Sequence, residues 1–189
     1  FILSWKSGLN PLKLILVGIA INAMFSGLTE AMISFGASTA GSLTSNLTLK
    51  TWDDVTLIVT YGTIGLVLAI AMFTWCNVLT LSDKTAKSIG FNVTGARITI
   101  AVVAVLLAAS SVVVAGVIAF VGILVPHIAR RLVGYDHKVL IPFTALLGAF
   151  IILLADTLGR TLFGPMEIPA STIMAIIGGP FLIFLLRKE

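Results

Sequence analysis

The sequence predicts an all-α protein, a polytopic bundle of transmembrane helices, and three observations predict it. Hydrophobic residues make up 58% of the chain and charged residues 11%, with a mean hydropathy of +1.12. A soluble domain carries about 25% charged residues, so this chain could not cover its own surface in water. Apolar runs also recur along it, each of about 17–25 residues, the length that crosses a hydrocarbon core. Finally, once those runs are threaded back and forth, the basic residues gather on one side.

Six spans follow, at about 12–35, 55–79, 95–115, 117–134, 139–161 and 168–186. The first carries Glu30 about two turns from its outer end, where a charge is costly unless it meets water or a partner. Glu30 either reaches the surface or faces a water-filled path and marks a substrate route. The second span ends before a polar segment, 81–93. In the third, Ala101, Ala104, Ala108, Ser111 and Ala115 recur at helical spacing and form one face of small residues. Such faces let backbones approach closely, which predicts an interior helix. The fourth is cut from the third near Gly116, because one helix from 95 to 134 is far too long for a single crossing. It contains Pro126 and His127 and ends in Arg130 and Arg131. The fifth bears Asp156 and Arg160, and the sixth bears Gly178, Gly179 and Pro180. Pro126 and the Gly-Gly-Pro run are expected to interrupt their helices.

Six crossings put both ends on one side. Of the 12 Lys and Arg residues, only Lys50 and Arg160 then fall on the other side. Basic residues mark the cytoplasmic ends of spans, so both ends are expected in the cytoplasm. Asp53, Asp54 and Glu167 fall outside.

Two constellations stand out. In the inner segment LSDKTAKSIGFNV, Ser82 suits an N-cap, Asp83 the first turn and Gly90 the position after the helix end. A short surface helix over about 83–89 is expected, with Ala86 and Ile89 on one side and Lys84 and Lys87 on another. A bare connector needs only a few turn residues, so a capped helix here suggests docking of a cytoplasmic partner. The second constellation is Asp156 with Arg160, four apart with the acid first, the favourable order for a pair on one helix face. It either orders the helix end or also presents Arg160 to an external acidic partner.

Other chemistry finds no support. No GxxxxGK[ST] phosphate loop occurs, and no Ser/His/Asp or HExxH arrangement does. An enzyme is therefore not expected, and an intramembrane enzyme or a simple channel stands as the alternative class. His127 and His137 lack neighbours of ligand spacing, so neither a metal nor another cofactor is expected. The net charge of +4 is too small to read as a nucleic-acid signal, and the single Cys76 allows no disulfide within the chain. The opening at Phe1, without Met or a signal sequence, suggests part of a longer polypeptide.

The run FVGILVPHIARRLVGYDHKVLIPFTALLGAFIILLADTLGRT, continuing through MEIPASTIMAIIGGPFLIFLL, resembles the C-terminal part of the FecCD-type permeases. These BtuC-like proteins are the membrane subunits of bacterial ABC importers for iron–siderophores, haem and cobalamin. LSDKTAKSIGFNV resembles their cytoplasmic coupling segment, and LILVGIAINAMFSGL their fifth span. The resemblance implies that residues 1–189 form the C-terminal part of one permease domain, in the cytoplasmic membrane. Its partners would be a cytoplasmic ATPase dimer, a second permease subunit and an extracytoplasmic binding protein. The cargo would be an iron–siderophore or haem, with cobalamin as the alternative. It further implies that Asp83, Lys84, Ala86, Lys87, Ile89 and Gly90 couple to the ATPase and that Arg160 docks the binding protein. Asn10, Pro11 and Leu12 would lie near the cytoplasmic gate. Where the family commonly reads Met-Gly-Ser before a Trp, this chain has Thr44, Ser45 and Asn46 before Trp52.

Overall fold

The computed structural model describes residues 11–34, 50–161 and 168–188. Among them are eight helices: α1 Pro11–Ser34, α2 Trp52–Ala71, α3 Phe73–Val78, α4 Asp83–Ser88, α5 Val93–Ala115, α6 Val121–Val133, α7 His137–Thr161 and α8 Ala170–Lys188. The chain divides into two units, Phe1–Thr44 and Ser45–Glu189. The described part of the first is α1. Pro11 opens it, a favoured place because the N–H that proline lacks has no intrahelical partner there.

In the second unit, α2, α5 and α7 are each long and apolar enough to cross a membrane. Their outward positions are apolar, as lipid requires: Val105 is 65% exposed, Leu146 72% and Leu153 64%. Threonines on these helices hydrogen-bond to their own backbone, as Thr60 Oγ1 does to the Thr56 carbonyl at 2.7 Å and Thr157 Oγ1 to Leu153 at 2.8 Å. A hydroxyl satisfied in this way can lie in lipid without stranding a donor.

Helix α2 packs on α5, while α7 packs on α6, α8 and α3. A core of Leu124, Ala155, Ala170, Ile173 and Met174 fills the space between α6, α7 and α8. Glycines allow two of the approaches. A Cβ on Gly65 of α2 would press into the Leu107 side chain of α5, and one on Gly178 of α8 would overlap the Phe120 side chain.

The elements depart from the sequence expectation in four places. The span 55–79 is two helices, parted at Met72, whose φ of −90° and ψ of 8° leave the α region. The expected fourth span, 117–134, is helical only over the 13 residues Val121–Val133. At 1.5 Å per residue that is about 20 Å, short of a hydrocarbon core of about 30 Å. The break before it comes from Gly116 (φ 71°) and Phe120 (φ 66°), whereas both prolines lie inside continuous helix. Pro126 sits in the second turn of α6, where its missing N–H frees one early carbonyl only. Pro180 and its two glycines likewise leave α8 uninterrupted, and Gly178 serves close packing. Lastly, the small-residue face of α5 is not its packing face within this chain. Val93, Ala96, Val103 and Val114 are buried, while Ala104, Ala108 and Ser111 are exposed.

Candidate functional site

One end of the second unit gathers most of its polar contacts. Helix α4 has six residues, far below the roughly 12–15 at which an isolated helix becomes even marginal, so its ends must hold it. Ser82 Oγ accepts from the Thr85 N–H at 3.2 Å and caps the first turn. At the other end Gly90 takes φ 78°, its N–H reaching the Lys87 carbonyl at 2.9 Å, while the Phe91 N–H reaches Ala86 at 3.1 Å. These two bonds form the Schellman closure, which requires a left-handed residue and therefore favours glycine. Asn92 then caps α5 through the Gly95 N–H at 3.0 Å.

Tertiary contacts clamp this corner. Arg97 of α5 forks onto Asp83, with Nη2 at 2.7 Å from one carboxylate oxygen and Nη1 at 3.2 Å from the other. The Phe91 ring meets Trp75 of α3 edge-on at 6.5 Å. Nearby, Asn77 of α3 donates to the Asp136 carboxylate at 2.8 Å and accepts from the His137 backbone N–H at 2.9 Å. Its oxygen also lies 2.7 Å from His137 Nδ1. Asn77 thus ties α3 to the turn between α6 and α7. Its amide, helped by the Lys138 N–H, holds the Asp136 carboxyl below the usual carboxylate range.

Of the residues expected to couple, Asp83, Lys84, Lys87 and Gly90 are exposed on or beside α4. The expectation that Ala86 and Ile89 share an outward face is corrected. Ala86 is 1% exposed, buried within the chain, whereas Ile89 is 64% exposed. The helix stops at Ser88 and the Gly90 turn swings the chain back, so Ile89 leaves the face that Ala86 occupies. Ile89 is therefore an exposed apolar side chain at this corner, as is Leu81.

At the far end of α7, Arg160 Nε donates to Asp156 Oδ2 at 2.9 Å, with 40% of the arginine side chain exposed. The pair expected from spacing is formed, and it leaves the guanidinium partly open to solvent. The sequence had not singled out Arg97, Asn77 or Asp136. The remaining expected positions fall largely outside the description. Asn10 lies outside the described residues, as do the side chains of Pro11, Leu12 and Glu30 and the run Thr44 to Asn46. Among the described residues no three His, Cys, Asp or Glu side chains gather as metal ligands would.

Three apolar helices long enough to cross a membrane, with a capped and clamped surface helix between two of them, define a helical membrane protein. The chain belongs to the FecCD transport family, whose profile matches residues 1–188. It is 40% identical over 188 residues to the "Probable heme-iron transport system permease protein IsdF" of Staphylococcus aureus strain bovine RF122 / ET3-1, covering 100% of this chain and 58% of that protein. The protein of the same name from strain Newman is 40% identical over 184 residues, covering 97% and 56%. A solved structure described as "An inward-facing conformation of a putative metal-chelate type ABC transporter" superposes with a TM-score of 0.87 at 30% identity, covering 100% of this chain and 62% of that one. The chain thus spans just over half the length of these curated relatives.

Proposed function

We propose that the chain is part of the permease subunit of an ABC importer that takes up an iron chelate, with haem as the first candidate cargo. The carrying observation is α4, a capped helix too short to stand alone, clamped at the end of the bundle that bears Arg97, Arg130, Arg131 and Lys138. In this reading that end faces the cytoplasm, α4 meets an ATPase dimer through Ile89, Lys84 and Lys87, and ATP is hydrolysed on that partner. A second permease subunit stands alongside in the bacterial cytoplasmic membrane. An extracytoplasmic binding protein docks at the Arg160 end. Asn10 to Leu12 lie by the gate and Glu30 along the path. The names of the S. aureus relatives support a haem-iron cargo, and the description of the superposed transporter supports a metal chelate.

Uptake by the complete transporter tests this. It should be assayed in cells lacking other haem and siderophore importers, with haemin, ferric siderophores and cobalamin offered separately. ATP-dependent accumulation of haemin is expected. Accumulation of cobalamin alone would move the cargo, and a permease that copurifies with no ATPase and accumulates none of the three would sink the importer reading.

A further inference from the structure

Resting on the reading of α4 as the ATPase contact, we infer that Arg97 is a positioning residue for coupling. Its fork on Asp83 makes α4 and the foot of α5 one lever, so that a push on α4 enters the membrane as movement of α5.

The argument is mechanical. Backbone joins α4 to α5 only through residues 89–92, and that link contains Gly90 in the left-handed region at φ 78°. The Gly90 and Phe91 backbone bonds and the Phe91–Trp75 contact hold the C-terminal end of α4, but they leave its N-terminal end free to swivel about that point. A swivelling α4 would absorb a load from below. The ion pair closes the corner across 14 residues and lies on the side away from the Gly90 turn, joining the first residue of α4 to the second turn of α5. Two parallel N–H···O bonds fix direction as well as distance, which a single point charge does not. Beyond this corner α5 lies along α2, with Leu107 pressed against Gly65. Movement of the α5 foot is therefore handed to a second span.

The pair is partly exposed, the two side chains at 35% and 54%, and exposed pairs contribute little to folding. A stability role and a transmission role can therefore be separated. The experiment uses the complete transporter with its ATPase and binding protein in proteoliposomes, with haemin as cargo. Haemin moved per ATP hydrolysed is read at equal amounts of assembled complex. Arg97→Gln should leave ATP hydrolysis running while lowering the ratio several-fold. The exchange of Asp83→Arg with Arg97→Asp should restore much of it.

An unchanged ratio in Arg97→Gln overturns the inference. If that variant fails to assemble, the exchanged pair decides: a ratio near the parent's supports the lever, and a lowered one overturns it. Should the parent itself move no haemin at the expense of ATP, it is the importer reading that falls. A coupled parent with an unaffected variant removes only the lever.

Discussion

Arg160 shows how little of a charged pair's role lies in its energy. With 40% and 26% of the two side chains exposed, the Arg160–Asp156 pair resembles surface pairs that contribute about 0–1 kcal/mol. Its effect is placement: Asp156, one turn below, holds the guanidinium at the end of α7 through Nε while 40% of the arginine side chain stays exposed. Charges at an interface rim act on association rate and specificity, and salt screens them. Arg160→Glu should therefore weaken association with the binding protein by about tenfold at low salt and much less at high salt. Arg160→Ala should be milder. Affinities measured at two salt concentrations, on equal amounts of folded permease, check this. Tight binding by Arg160→Glu at low salt would make the arginine a structural cap only. The i,i+4 spacing made this pair legible in the sequence, because both partners lie on one helix. Arg97 with Asp83, and Asn77 with Asp136, were not legible. Their partners lie 14 and 59 residues apart, and only the packing of separate helices brings them together. The Asp136 carboxyl is depressed, so whatever stability it contributes is complete above the ordinary carboxylate pKa of about 4 and is lost only on further acidification. Across neutral pH, Asp136 does not switch.

At the scale of the element, α4 was legible because capping is local: Ser82, Asp83 and Gly90 mark its ends within a few residues. Its faces were misread because the helical period was continued through Ile89, past the point where the Gly90 turn ends it. The two side chains therefore predict different failures. Ala86→Glu forces a longer, charged side chain into a site 1% exposed, where overpacking alone costs about 1–3 kcal/mol. It should reduce the amount of folded permease. Ile89→Glu alters an exposed position and should leave folding intact while weakening ATPase association. Thermal stability in detergent and copurification of the ATPase, measured on both variants, separate the two effects. Equal loss of folded protein in both would contradict the assignment of faces. The break near Gly116 was legible, because one apolar stretch had to be cut into two crossings there, and α5 does end at Ala115. The interruption expected at Pro126 was not found. Composition marks Pro126 as the obvious disturbance, whereas a left-handed Phe120, seated against Gly178, carries no sequence signal.

Across the whole molecule, the long apolar helices α2, α5 and α7 were legible from hydropathy, because lipid imposes one solvent rule on every crossing. The pairing of helices was not, since lipid-facing and packed positions are equally apolar. The small face of α5 illustrates this, for composition could not say whether its neighbour lies within this chain. In the proposed reading the basic end faces the cytoplasm, and that orientation has a direct test. With Cys76 replaced by Ala, a cysteine at Lys87 should react with a membrane-impermeant maleimide only in inverted vesicles, and one at Arg160 only in intact cells. Labelling at Lys87 in intact cells would reverse the topology.

The irregular stretch 116–120 bears on the order in which the molecule can be assembled. From the basic end of α6 it lies about 20 Å up the helix, at a depth where backbone outside a helix is tolerated only under protein cover or beside water. Part of that cover is Gly178, on α8, some 60 residues later in the chain. Helices α5 and α6 therefore do not complete their junction by themselves: the cover over Phe120 is in place only once α8 has packed against it.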